Sequence, residues 1–158
     1  MKHSKPDLLA VAFISLMMLA VALYLQHVEN MQPCPLCVIQ RYAFAAIALF
    51  CLIGAFMQRG RARTSAALAA CSAIAGAGVA AWHIYIKANP TVSCGIDPLE
   101  TSLNTLPTAQ LLPFLFKADG LCTTDYAPIL GLSIPQWALI WFVVLGLFLL
   151  RITFKQAR

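Results

Sequence analysis

The chain has 158 residues, of which 61% are hydrophobic and only 11% charged, with a net charge of +5. A water-soluble core does not use that much apolar surface, so an ordinary soluble domain is excluded. The basic residues gather at the ends of apolar runs, which is a signature of membrane topology and gives no reason to invoke nucleic acid.

The first apolar run, residues 8–25, reaches the length of about 17 to 25 residues that crosses a bilayer. Lys2 and Lys5 precede it and Ala20-Val21-Ala22 resembles a small-residue cleavage site, which also fits a signal peptide. Against that reading, the run is longer than a signal core and the small residues lie inside it. A short polar link, 26–37, leads to the second span at 38–57. Three arginines, Arg59, Arg61 and Arg63, separate this from a third span at 65–86. A long loop, 87–135, precedes a shorter fourth span at 136–152.

Basic segments near helix ends stay on the cytoplasmic side. Lys2, Lys5, Arg59, Arg61, Arg63, Arg151, Lys155 and Arg158 make eight of the eleven basic residues, and all fall on one side of a four-span arrangement. The expected fold is therefore an all-α membrane protein: a single domain over 1–158, an antiparallel four-helix bundle with both termini inside and a long outer loop.

The six cysteines divide by topology. Cys34, Cys37, Cys94 and Cys122 lie in the two outer segments, where thiols meet an oxidising environment. Cys51 and Cys71 lie inside spans and read as small apolar packing residues.

The sharpest motif is Pro33-Cys34-Pro35-Leu36-Cys37, a Cys-x-x-Cys at the entrance to the second span. Pro35 biases Cys34 toward extended backbone and suits the first turn of a helix, so the helix is expected to begin at Pro35 or Leu36. Cys37 then sits in the first turn, where unpaired N–H groups and the helix dipole favour a thiolate. Arg41, four residues on, shares its face one turn deeper. At about 6 Å and an effective dielectric near 20, its attraction to a thiolate would be roughly 3 kcal/mol. Two plainer readings stand beside these. A Cys-x-x-Cys can be half a metal site, although the outer segments supply no second such pair and no paired histidines, so no metal is expected. Arg41 alone can snorkel to lipid phosphate.

Cys94 and Cys122 lie 28 positions apart in the long loop. A disulfide there is worth roughly 3 to 4 kcal/mol as a staple in the chain-entropy model, so stability alone can explain a bridge. Two pairs on one face also suit a relay, because thiol–disulfide exchange passes oxidation between pairs. The loop's many prolines and glycines argue against a long rigid element. Its apolar stretch Leu111-Leu112-Pro113-Phe114-Leu115-Phe116 fits either the headgroup zone or packing onto the helix ends. Trp82, Tyr85 and Trp137 form an aromatic belt, with His83 among them suited to a headgroup or to a ligand carbonyl. Ser133 and Gln136 have capping-box spacing for the fourth helix.

Together these features resemble DsbB, the bacterial disulfide-forming membrane oxidase, over nearly the whole chain. The residues that carry the likeness are Pro33-Cys34-Pro35-Leu36-Cys37, Gln40-Arg41, the loop pair, and Gly131-Leu132-Ser133-Ile134-Pro135-Gln136-Trp137. The resemblance implies an inner-membrane protein with its active cysteines on the periplasmic side. It implies that Cys94, bridged to Cys122, is attacked by a reduced DsbA-like thiol oxidase, and that Cys34 exchanges with the loop pair. Cys37 would face a quinone, ubiquinone or menaquinone, and form a charge-transfer or covalent adduct, with Arg41 stabilising the developing negative charge. His83 stands where the family has a quinone-contacting histidine. Vitamin K epoxide reductase-like proteins also join a bundle to cysteine pairs and a quinone, but there the Cys-x-x-Cys follows the loop pair, and here it precedes it.

Overall fold

In the computed structural model, residues 4–89, 96–124 and 126–157 are described. They form seven helices and no strands: α1 Ser4–His27, α2 Pro35–Phe56, α3 Arg59–Ala88, α4 Ile96–Asn104, α5 Pro107–Leu111, α6 Pro113–Phe116 and α7 Ile134–Ala157. Helices α1, α2, α3 and α7 are each long and apolar enough to cross a membrane. The chain is a multi-pass membrane protein built as a four-helix bundle.

Helices α1, α3 and α7 overrun at both ends the spans expected from hydropathy, while α2 starts earlier than expected and ends one residue sooner, at Phe56. Apolar runs mark the lipid-buried part only, whereas α3 starts at Arg59 and α7 carries Arg151 and Lys155. The fourth span, short by hydropathy, is 24 residues long as a helix. It is entered through a capping interaction, in which the Ser133 N–H donates to Gln136 Oε1 at 2.7 Å. Just before it, Leu130 and Gly131 both take positive φ, 53° and 82°, and turn the chain so that Ile129 and Leu132 pair.

Neighbouring helices follow the order α1–α2–α3–α7, while α1 and α7 barely touch. Association of apolar helices in lipid depends on close van der Waals packing, which small residues permit. Ala66, Ala69, Ala70, Ala73 and Ala80 of α3 are all buried. At Gly76 a Cβ would lie 2.5 Å from Phe142, so the glycine makes room for that ring. Phe142 in turn stacks on Phe44 of α2 at 4.1 Å between centroids. Helix α1 contributes Leu8, Val11, Ala12 and Leu19 to the same core. Cys51 is a packing residue there, as expected, but Cys71 is exposed on the outside of α3. A helix span buries only one stripe against its neighbours, and Cys71 falls on the other side.

The loop helices lie over one end of the bundle. Phe116 is buried and stacks on Tyr42 at 4.2 Å with the rings nearly parallel. Leu111 remains 78% exposed and Phe114 50%. The packing reading holds for Phe116, which packs on α2, while Leu111 and Phe114 face outward.

Candidate functional site

The site lies at the end of the bundle covered by the loop. Helix α2 begins at Pro35, and Cys34 is its N-cap. The Cys37 N–H donates to the Cys34 sulfur at 3.3 Å, so a thiol fills the role usually taken by Ser or Asp. This capping holds the two side chains together, and the Cys34 thiol donates to Cys37 Sγ at 2.9 Å.

The loop delivers Cys122 to the same place. Asp119 and Gly120 both donate backbone N–H groups to the Pro33 carbonyl, each at 3.1 Å. A Cβ on Gly120 would collide with the Gln32 carbonyl, so this approach requires glycine. Two residues later, Cys122 is buried in one cluster with Cys34, Leu36 and Ile86. Its hydrogen bond to Cys34, then the one between Cys34 and Cys37, and burial hold the Cys34 thiol well above the ordinary thiol range. Cys94 lies outside the described residues.

Arg41 is buried, 6% exposed, and does not snorkel. Its guanidinium donates to Gln26 Oε1 at 2.6 Å, to the Leu115 carbonyl at 2.8 Å and to the Ala22 carbonyl at 3.2 Å. All three acceptors are neutral, so the positive charge is held in place without being neutralised. Sequence spacing places Arg41 near Cys37 but gives no sign of Gln26 or Leu115, which reach it from another helix and from the loop.

His83 is also buried, at 3% exposure, among groups that spacing does not reveal. Its Nε2 lies 3.2 Å from the Cys122 carbonyl oxygen and 3.7 Å from Cys34 Sγ. Its Nδ1 lies 3.4 Å from Gln40 Nε2. The aromatic belt reading fits its exposed neighbours Trp82 and Tyr85, stacked at 5.3 Å, and not His83 itself. A helix alternates faces, so one sequence run serves lipid and site together. Ligand atoms of Cys34, Cys37 and His83 lie within 4.8 Å of one another, close enough to hold a metal ion. A search of the outer segments alone misses this grouping because the histidine comes from α3.

These groups open onto a cavity of about 320 Å³. Its outer wall carries Cys34, Cys37, Arg41, His83 and Cys122; its deeper wall is apolar, with Met18, Leu19, Phe44 and Trp141. Met18 and Ala22 belong to α1, and Trp137, Ala138 and Trp141 to α7, so the cavity fills the gap between the two helices that scarcely meet.

A membrane bundle that holds a reduced Cys-x-x-Cys beside a third, loop-borne thiol is a membrane protein of thiol–disulfide chemistry. The family model described as disulfide bond formation protein DsbB matches residues 4–152. A disulfide bond formation protein B of Herminiimonas arsenicoxydans is 74% identical over 156 residues, covering 99% of both chains. Another from Cupriavidus metallidurans is 48% identical over 145 residues, 92% of this chain and 89% of the relative. One from Burkholderia pseudomallei is 50% identical over 147 residues, 92% and 87%. The chain belongs to the DsbB family, and its activity is that of a disulfide oxidoreductase in disulfide bond formation.

Proposed function

We propose that this protein re-oxidises a soluble, DsbA-like thiol oxidase outside the bacterial inner membrane and passes the electrons to a membrane quinone. The observation that carries the reading is the placement of three cysteine sulfurs and Arg41 at the polar end of an otherwise apolar cavity. The distribution of basic residues supports cytoplasmic termini and periplasmic cysteines.

In the relay, a thiolate of the reduced partner attacks the Cys94–Cys122 disulfide at Cys94. Cys122 leaves with the electron pair, and the partner's second thiolate then releases Cys94. The reduced loop pair next takes oxidation from Cys34–Cys37. Cys122 thiolate attacks Cys34, breaking its bond to Cys37, and Cys94 thiolate attacks Cys122, which releases Cys34. The loop disulfide is restored, and Cys34 and Cys37 hold two electrons.

A quinone held in the cavity would supply the acceptor for those two electrons and two protons, and Cys34–Cys37 would return to the disulfide. The lining supports such a molecule, because its apolar walls suit a ring and tail and the cavity lies in the gap between α1 and α7. The residues present then have separable tasks. Cys37 Sγ supplies the electron pair, Cys34 donates a hydrogen bond to that sulfur, and Arg41 sets a fixed positive charge where negative charge develops. Gln26 and the two backbone carbonyls orient the guanidinium.

A partner variant with only its attacking cysteine tests the first exchange, since its mixed disulfide cannot resolve. The expected product is a covalent complex that disappears in Cys94→Ser and persists in Cys37→Ser. A complex that survives Cys94→Ser would refute the assignment.

A further inference from the structure

We propose that Gln40 is a positioning residue that fixes His83 as the neutral tautomer protonated at Nε2, making His83 a hydrogen-bond donor to Cys34 in thiol–disulfide exchange. Gln40 is buried, 5% exposed, and its side-chain amide nitrogen meets His83 Nδ1 at 3.4 Å. An amide N–H only donates, so Nδ1 is the ring's lone-pair nitrogen. On the opposite side of the ring, Nε2 faces the Cys122 carbonyl at 3.2 Å. A carbonyl only accepts, so Nε2 carries the hydrogen. Two independent neighbours therefore dictate the same tautomer.

The consequence falls on Cys34, whose sulfur lies 3.7 Å from that nitrogen, so the one N–H is shared between the Cys122 carbonyl and Cys34. This inference rests on the relay reading. When Cys94 thiolate attacks Cys122, the Cys122–Cys34 bond breaks and its electron pair goes to Cys34 Sγ. The new anion forms next to Cys37, and the His83 N–H stabilises it without giving up its proton. His83 is thus a donor to a leaving sulfur and not a base. The same tautomer disfavours the metal reading of Cys34, Cys37 and His83, because the nitrogen facing the sulfurs has no lone pair to offer.

The groups that bear on the ring's titration are Cys34 and Cys37 from α2 and Cys122 from the loop. Arg41, Lys87 and Tyr126 line the same cavity, and no carboxylate does among the described residues. Gln40→Glu would supply one. It replaces a donor with an anionic acceptor, draws a proton onto Nδ1 and converts the ring to imidazolium.

The test is nitrogen NMR of the reduced, ¹⁵N-histidine-labelled protein in detergent, with His83→Gln to assign the signal among three histidines. The expected spectrum shows a protonated Nε2 and an unprotonated Nδ1. In Gln40→Leu the preference should be lost, and oxidation of the loop pair by Cys34, read by acid quench and alkylation, should slow about three- to tenfold. Gln40→Glu should show two protonated nitrogens and shift the pH profile of that exchange. An Nδ1–H or doubly protonated ring in the unsubstituted protein overturns the proposal, even if Gln40→Leu fails to fold. So does a Gln40→Glu profile superimposable on the original. Quinone reduction is measured separately, so its absence would count against the relay and leave the tautomer result standing.

Discussion

Arg41 shows how a single buried charge is made tolerable and useful. An arginine within a span is costly unless its N–H groups find partners, and here Gln26, Ala22 and Leu115 provide them. Because those partners are neutral, the charge is not neutralised within the protein, as the proposed role beside an electron acceptor requires. Arg41→Ala should lower kcat/KM for quinone about 100-fold, as loss of a fixed transition-state charge does elsewhere, and leave the disulfides intact; steady-state quinone reduction checks this. Cys34 carries a second prediction. Its raised pKa means that the folded, reduced protein holds the proton more tightly than the unfolded chain does. Stability from this group is complete below the ordinary thiol pKa and declines as pH rises above it. In the same window Cys34 should alkylate slowly, with no thiolate wave in the usual thiol range, measured by mass spectrometry of trapped peptides. At this scale the sequence exposes the chemistry of Cys34, Cys37 and Arg41, because their spacing is local to one helix. Gln26 and the Leu115 carbonyl are invisible in it, and Gln40 enters only beside Arg41 in the family likeness, since each meets its partner through packing between elements.

Among the elements, the four spans are legible because hydropathy over a window of that length admits few alternatives. Their ends are not, because capping and charged end residues extend a helix beyond its apolar run. The start of α2 is the exception, where Pro35 imposes a boundary. The docking of the loop on the 26–37 segment depends on Gly120, which sits against the Gln32 backbone. Gly120→Val should displace Cys122 from Cys34 and slow exchange between the loop pair and Cys34, while quinone still re-oxidises the Cys34–Cys37 dithiol. Rapid-quench thiol trapping separates the two steps. At the bundle core, Gly76→Leu forces a branched side chain into the space of Phe142 and should destabilise the protein by about 1 to 3 kcal/mol. Thermal unfolding in detergent measures it.

Across the whole molecule, the incomplete contact between α1 and α7 is what turns a packed bundle into an enzyme. Three of the four helix neighbours close tightly, and the remaining gap holds the cavity where α2 and the loop present their sulfurs. Net hydropathy cannot reveal which pair of helices stays apart, so the cavity is not readable in the chain, although the resemblance carried by Cys34, Cys37 and the loop pair implies the quinone proposed for it. The two span cysteines stand outside this arrangement, Cys51 in the core and Cys71 on the outer surface.

Stopped-flow absorbance of the purified protein, mixing a reduced DsbA-like thiol oxidase with protein and quinone, tests the central claim most directly. The account predicts that partner thiols and quinone are lost together, one dithiol per quinone, and that Cys37→Ser abolishes quinone loss. Thiol oxidation without reduction of ubiquinone or menaquinone would contradict it.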